Sequence, residues 1–235
     1  MILYRHDILV ISYIIFLEID VLRRIIKSLV PAKGDVFFIL FEEAAIYAND
    51  AAKIFVDILN CRNEELLGQM FTNLRLLKQK SIDSNKKTLQ SLNVMFITPI
   101  DRGDIQELSG LLNKLTKRII KIGTKLKIYD IDANSDDILV KNANTLLQIT
   151  GALVDCVTAL KLGNTDNIIK ASDKINELEE NGIEDLRQAV TEMYSGKFDT
   201  LMILKLKEIY KNIDGVIDVS VSASDLVVQV SVKNI

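Results

Sequence analysis

Two prolines in 235 residues, Pro31 and Pro99, constrain this chain more than any other feature. Ordinary usage near 5% would give about a dozen. Proline removes a helix hydrogen bond and clashes with the preceding turn, so a chain nearly free of it can hold long unbroken helices. Only ten glycines and no tryptophan accompany them. Hydrophobic residues make up 49% and charged residues 26%. That balance, at this length, suits a folded core and excludes a disordered tail, a collagen or a disulfide scaffold.

The histidine count excludes the common catalytic designs. His6 is the single histidine, so no His-rich zinc site, Ser-His-Asp triad or Cys-His pair can be assembled. Cys61 and Cys156 match no metal spacing and read as packed, reduced thiols of a cytosolic protein. The net charge of −3 gives no general attraction to nucleic acid. The residues alone therefore describe an acidic helical protein without a visible catalytic engine.

The N-terminal stretch reads as an extension, residues 1–30, that can be helical. Its apolar run, Ile8 to Ile19 with Glu18 inside, is too short for a bilayer, which needs about 20 residues. It lacks the cationic start and small-residue cleavage site of a signal peptide. An extra packed helix, an upstream extension outside the core domain, and a weak amphipathic membrane anchor aided by Arg23, Arg24 and Lys27 are the readings that remain. Pro31 and Ala32-Lys33-Gly34 close the segment.

From residue 31 to 235 the chain reads as one helical bundle. The spacing predicts a first helix over Val36–Asn60, with Phe37, Leu40, Phe41, Ala44, Ala48, Ala51, Ala52, Phe55 and Ile58 or Leu59 on its core face. A second runs from Glu64 to Met95, with Lys78, Lys80, Lys86 and Lys87 on a solvated outer face. Pro99 suits the first turn of a third, Asp101–Ile128, where Asp101 and Asp104 complement the helix dipole. A capped turn at Asp132–Ser135 opens a fourth helix to Leu162. Gly163-Asn164-Thr165 resets the chain for a fifth to Met193, and a sixth starts near Asp199. Residues 219–232 fit both a strand and a helical stripe of Ile213, Val216, Ile217, Ser220, Ala223, Val227 and Val230. A lone terminal strand would have no partner, so helix is chosen. The fold class expected is all-α: a six-helix up-and-down bundle of two similar three-helix halves, about 36–131 and 135–233.

At LNVMFITPIDRGDI, Leu92 to Ile105, the chain resembles the F-I-T-P-F-D-R-E-D-I signature of the PhoU-like phosphate transport regulators, the Pit accessory proteins. IIKSLVPAKGDVFFILFEEAA, LKIYDI, INELEENG and LKLKEIYKNIDGVID agree in order and spacing, so the resemblance covers about residues 25–232. It implies the same six-helix fold and a partnership with a Pit-type inorganic phosphate transporter. It also implies metal ions held by E-x-x-x-D motifs on facing helices of each half, since carboxylates four apart share a helix face.

This sequence departs from those motifs. The first-half positions fall on Lys78, Ile82, Asn113 and Lys117, where lysines would repel a cation. In the second half Glu179 remains but its partner is Ile183, while Asp214 and Asp218 keep the pair spacing. The resemblance thus leaves Glu179, Asp214 and Asp218 as the candidate metal ligands of one degenerate site for a divalent or ferric ion, against the plainer reading of solvated carboxylates. Asp83 and Glu184, one position beyond the lost aspartates, point about 100° away. Arg102 beside Asp101 and Asp104 reads as a capping salt bridge rather than a phosphate site. Tyr129, Tyr194 and Tyr210 at helix ends read as ordinary amphipathic packing.

The function expected is that of a non-enzymatic accessory protein of phosphate transport, cytoplasmic or peripheral at the inner face of the membrane. It would dock on a Pit-type transporter and could form a homodimer. Membrane contact is expected only through that transporter or weakly through the N-terminal segment. The alternative is a divergent structural bundle with a partner unrelated to phosphate.

Overall fold

The structure, a computed structural model, describes residues 35–131 and 137–233. The N-terminal extension, the Pro31 turn and the Asp132–Ser135 turn lie outside the described residues. Six helices account for nearly all of the rest, and no strand occurs among the described residues. They are α1 Asp35–Asn60, α2 Glu64–Val94, α3 Arg102–Tyr129, α4 Asp137–Leu162, α5 Thr165–Met193 and α6 Thr200–Lys233.

Local chemistry sets their ends. Asn63 caps α2 by accepting from the Leu66 amide, Asn164 does the same for α5 through Asn167, and Asp101 caps α3 through Gly103 and Asp104. Gly163 and Gly196 follow helix ends with positive φ, 66° and 90°, where a side chain would be strained. The segment 219–232 is helix throughout. The predicted stripe of Ile213, Val216, Ile217, Ser220, Ala223, Val227 and Val230 is buried.

Side-chain bonds fix the directions. Ser84 donates to the Leu40 carbonyl, joining α2 to α1, while Ser81–Asn113 and Ser109–Asn85 join α2 to α3. The two α2–α3 pairings run in opposite senses along the helices, so α2 and α3 are antiparallel. The second half repeats this order, with Asp185 of α5 meeting Lys141 and Thr145 of α4. At Gly182 the α5 backbone comes so near α6 that a Cβ would lie 2.7 Å from Ile217 Cδ1.

The halves join through two antiparallel seams. In one, Glu42 of α1 accepts from Thr158 and Lys161 of α4 at 3.1 and 2.7 Å, and Asn49 accepts from Thr150 at 3.1 Å. Asn49 and Thr150 are 101 positions apart. The same offset relates Lys78 to Glu179, Ile82 to Ile183, Asn113 to Asp214 and Lys117 to Asp218. In the other seam Lys233 of α6 pairs with Asp104 of α3 at 3.0 Å, Arg118 meets Gly215, and Glu208 takes both Lys125 and Tyr129. Both α4 and α6 are long and apolar enough to cross a membrane by length and composition, yet much of each apolar surface is buried inside the bundle.

The core is largely the stripe that the spacing predicts. Phe37, Phe41, Ala48, Ala51, Ala52 and Phe55 of α1 are fully enclosed, as are Leu112, Ile119, Leu146 and Val227. Removing any large one of these would cost about 2–5 kcal/mol in lost transfer energy and cavity.

Candidate functional site: the two facing helix grooves

In the second half, α5 and α6 bring the three candidate ligands into one groove. Asp214 and Asp218 stand on the same exposed face of α6, four residues apart, and Glu179 faces them from α5. Burial first, then the charges of Asp218, Asp225 and Glu180, hold the Glu179 carboxyl above its ordinary range. Asp214 is raised by burial and by Asp218. The carboxylates thus sense one another, and no salt bridge neutralises them among the described residues. Among the described residues, however, no group of three or more His, Cys, Asp or Glu is gathered so as to hold a metal ion. The donor atoms are of the right chemical type but are spread along the groove.

The equivalent groove of the first half, between α2 and α3, has the opposite chemistry. Lys78 faces Lys117, and Arg75, Lys114 and Lys121 add exposed cations nearby. Asn113, at the position of Asp214, is buried and its Oδ1 accepts from Ser81 at 3.1 Å. An engaged amide between lysines does not fit a cation. Asp83 accepts from Gln79 of its own helix, and Glu184 pairs with Arg187, so each is occupied within its turn.

Arg102 is not paired with its acidic neighbours. Its guanidinium reaches back to the end of α2, donating to the carbonyls of Leu92 and Met95 at 2.6 and 2.9 Å. Asp101 is spent on the α3 cap and Asp104 on Lys233. Carbonyls at a helix C-terminus lack intrahelical partners and carry partial negative charge, so a cation there is a joint between two helices. The expected capping salt bridge is therefore a helix-end clamp. The tyrosines also differ from expectation. Tyr210 is buried mid-helix, Tyr129 donates to Glu208, and Tyr194 is exposed at the α5 C-cap.

Both cysteines are free. Cys156 is buried, its thiol pushed up to about 11 chiefly by desolvation, while Cys61 at the α1–α2 turn is only partly covered. Reading by residue type missed two buried carboxylates, Asp104 and Asp185, each bound to a lysine of another helix. Their partners are distant in sequence, so only the apolar register around them could have signalled it.

These six helices, with one groove between α2 and α3 and another between α5 and α6 at matching positions, share the fold of PhoU-like proteins of solved structure. The likeness extends over most of the chain. It is similar to a PhoU-like protein from Shewanella oneidensis MR-1, with a TM-score of 0.74 and 12% identity over 84% of this chain and 99% of that one. A second solved structure from that organism, described as a PhoU-like phosphate regulatory protein, gives 0.73 and 12% over the same shares. By sequence it is similar to UPF0111 protein YkaA of Bacillus subtilis (strain 168), 22% identical over 206 residues, 88% of this chain and 100% of that one. No protein-family model matches the chain.

Proposed function

We propose that this chain is a non-enzymatic, cytoplasmic regulator of inorganic phosphate transport that docks on a Pit-type phosphate transporter at the inner face of the membrane. The observation that carries the reading is the α2–α3 junction. Val94, Phe96 and Ile97 are 84, 98 and 85% exposed, although the residues around them are firmly held. Arg102 clamps the end of α2, Thr98 donates to the Ile100 carbonyl at 2.8 Å, and Ile100 is buried. Three neighbouring apolar side chains presented on a fixed joint form a contact surface rather than a loose loop. The fold of a protein described as a phosphate regulator supports the phosphate assignment.

The same end of the bundle offers a second apolar feature. Pro99 and Ile100 meet Phe38, Leu162, Gly163 and Val230 around a cleft of about 420 Å³. A short apolar segment of a membrane-protein loop could seat there beside Phe96. Regulation would follow from any difference in affinity for the transporter's conformations. Of the family's motif positions, Glu179, Asp214 and Asp218 keep carboxylates, and a divalent or ferric ion would have to draw them together across the groove.

The test is phosphate uptake in the cell that makes this protein. Deletion should change labelled phosphate uptake through the Pit-type transporter, and the parent gene should restore it. Unchanged uptake, with the transporter present, would instead favour a structural bundle with another partner.

A further inference from the structure

A wide cleft opens between α5 and α6 toward the turn that joins them, with a volume of about 660 Å³. That is ample for a small molecule. It lies far from the α2–α3 junction: Lys211 in its lining stands roughly 30 Å along α6 from Lys233, which pairs with Asp104 at that end. Leu186, Val190 and Met193 of α5, on successive turns, give the cleft an aliphatic wall. Met193 is buried at its base, while Val190 is left 48% exposed. Cations stand along the rim. Lys207 and Lys211 are exposed one turn apart on α6. Arg187 of α5 lies across from Lys211, because the helices run antiparallel with Gly182 against Ile217. Neither lysine has a salt-bridge partner among the described residues. Arg187 meets Glu184 of its own exposed turn at 3.1 Å, a weak and readily exchanged pair. Of the described lining residues Asp214 alone is acidic, against these three cations.

We infer that this cleft binds a single-chain anionic amphiphile of the fatty-acid type, its alkyl chain against Leu186, Val190 and Met193 and its anionic head among Arg187, Lys207 and Lys211. The aliphatic wall supplies affinity without direction, and the charged rim supplies the sign and the orientation. Other ligand classes use the cleft less well. A metal ion or an organic cation would meet the positive rim. Inorganic phosphate would leave the wall uncovered. A nucleotide base needs an accessible aromatic face, and the one aromatic ring of the described lining, Tyr210, is buried. An apolar surface rimmed by one sign of charge is the pattern of a ligand groove rather than of a solvated helix face. The inference goes beyond the proposed transporter contact, which uses the opposite end of the bundle, and either can hold without the other.

The experiment is isothermal titration calorimetry of the full chain with dodecanoate, kept below the concentration at which it forms micelles. The parent should take up one equivalent, and dodecyltrimethylammonium and inorganic phosphate should each bind at least about tenfold more weakly. Lys207→Glu/Lys211→Glu removes the rim charge and Val190→Asp spoils the wall; each should weaken dodecanoate by about tenfold or more. These side chains are exposed, so both variants should keep the parent's helix content by circular dichroism. Lys114→Glu/Lys121→Glu, on exposed lysines of α3 outside the cleft, should bind as the parent does. Flotation with phosphatidylglycerol vesicles separates a free ligand from a bilayer surface. A parent that does not bind dodecanoate, or that binds only the vesicles, would overturn the inference. So would equal binding of the cation or of phosphate, parent-like affinity in either cleft variant, or an equal loss in the α3 variant.

Discussion

Arg118 of α3 donates from Nη1 to the backbone carbonyl of Gly215 on α6 at 2.7 Å, and a Cβ on Gly215 would lie 1.8 Å from that nitrogen. The glycine is the space that the guanidinium occupies. Helix carbonyls rarely have room for a second donor, so this contact needs both the long cation and the missing side chain.

That arrangement predicts strong coupling between the two positions. Arg118→Ala should cost about 1–2 kcal/mol, the value of a charge-assisted bond at a partly exposed site. Gly215→Ala made in that background should stabilise by up to about 1 kcal/mol, because alanine favours helix over glycine. In the parent the same substitution displaces the guanidinium, and the gain should vanish or reverse. Urea denaturation of the four proteins measures the cycle.

The acidic groove predicts a pH dependence of definite sign. Glu179 and Asp214 have carboxyls raised above ordinary values of 4.5 and 3.8, so the folded state binds their protons more tightly than the unfolded state. Their contribution is most favourable below the unfolded values and is lost as pH rises through the folded ones. Glu179→Gln and Asp214→Asn should therefore raise the thermal midpoint at pH 7, measured at low protein concentration. The gain should disappear near pH 3, where the parent carboxyls are protonated as well.

How much of this was legible beforehand follows from what decides each feature. The six helices followed from the proline gap and from core stripes such as Phe37–Phe41–Ala48–Phe55, because burial sets the period and little competes with it. The choice of helix for 219–232 rested on the absence of a strand partner, and the helix runs to Lys233. Arg102 was misassigned because Asp101 and Asp104 are its neighbours in sequence, whereas Leu92 and Met95 come near only when the junction folds back. For the same reason the Arg118–Gly215 contact, 97 positions apart, left no local signal. Glu179, Asp214 and Asp218 were singled out through the family resemblance. The fold places them in one groove but does not gather them round a common point.

The spread of those carboxylates predicts weak metal binding. Purified parent, dialysed against a divalent or ferric salt and then analysed by plasma mass spectrometry, should retain well under one equivalent. Asp214→Ala/Asp218→Ala should retain no less than the parent. A full equivalent in the parent, lost in the variant, would mean that a metal does draw the groove closed.

One buried atom predicts a stabilising change. Asn142 of α4 is enclosed, its Nδ2 donates to the Ile138 carbonyl at 2.9 Å, and its Oδ1 has no partner among the described residues. An orphaned buried acceptor costs about 1–3 kcal/mol, and leucine, with the same number of side-chain heavy atoms, removes it. Asn142→Leu should raise the unfolding free energy by up to about 1 kcal/mol in urea denaturation, the lost acceptor penalty outweighing the crowding by the larger side chain.

The proposed function turns on whether the exposed α2–α3 junction seats on a transporter. Affinity-tagged parent and a Phe96→Asp/Ile97→Asp variant should be incubated with detergent-solubilised Pit-type transporter from the same cell, and the co-purified transporter measured. Both side chains are exposed, so the variant should keep the parent's helix content and thermal midpoint. The parent should retain the transporter and the variant should lose it. Failure of the parent to retain it, or equal retention by both proteins, would contradict the account.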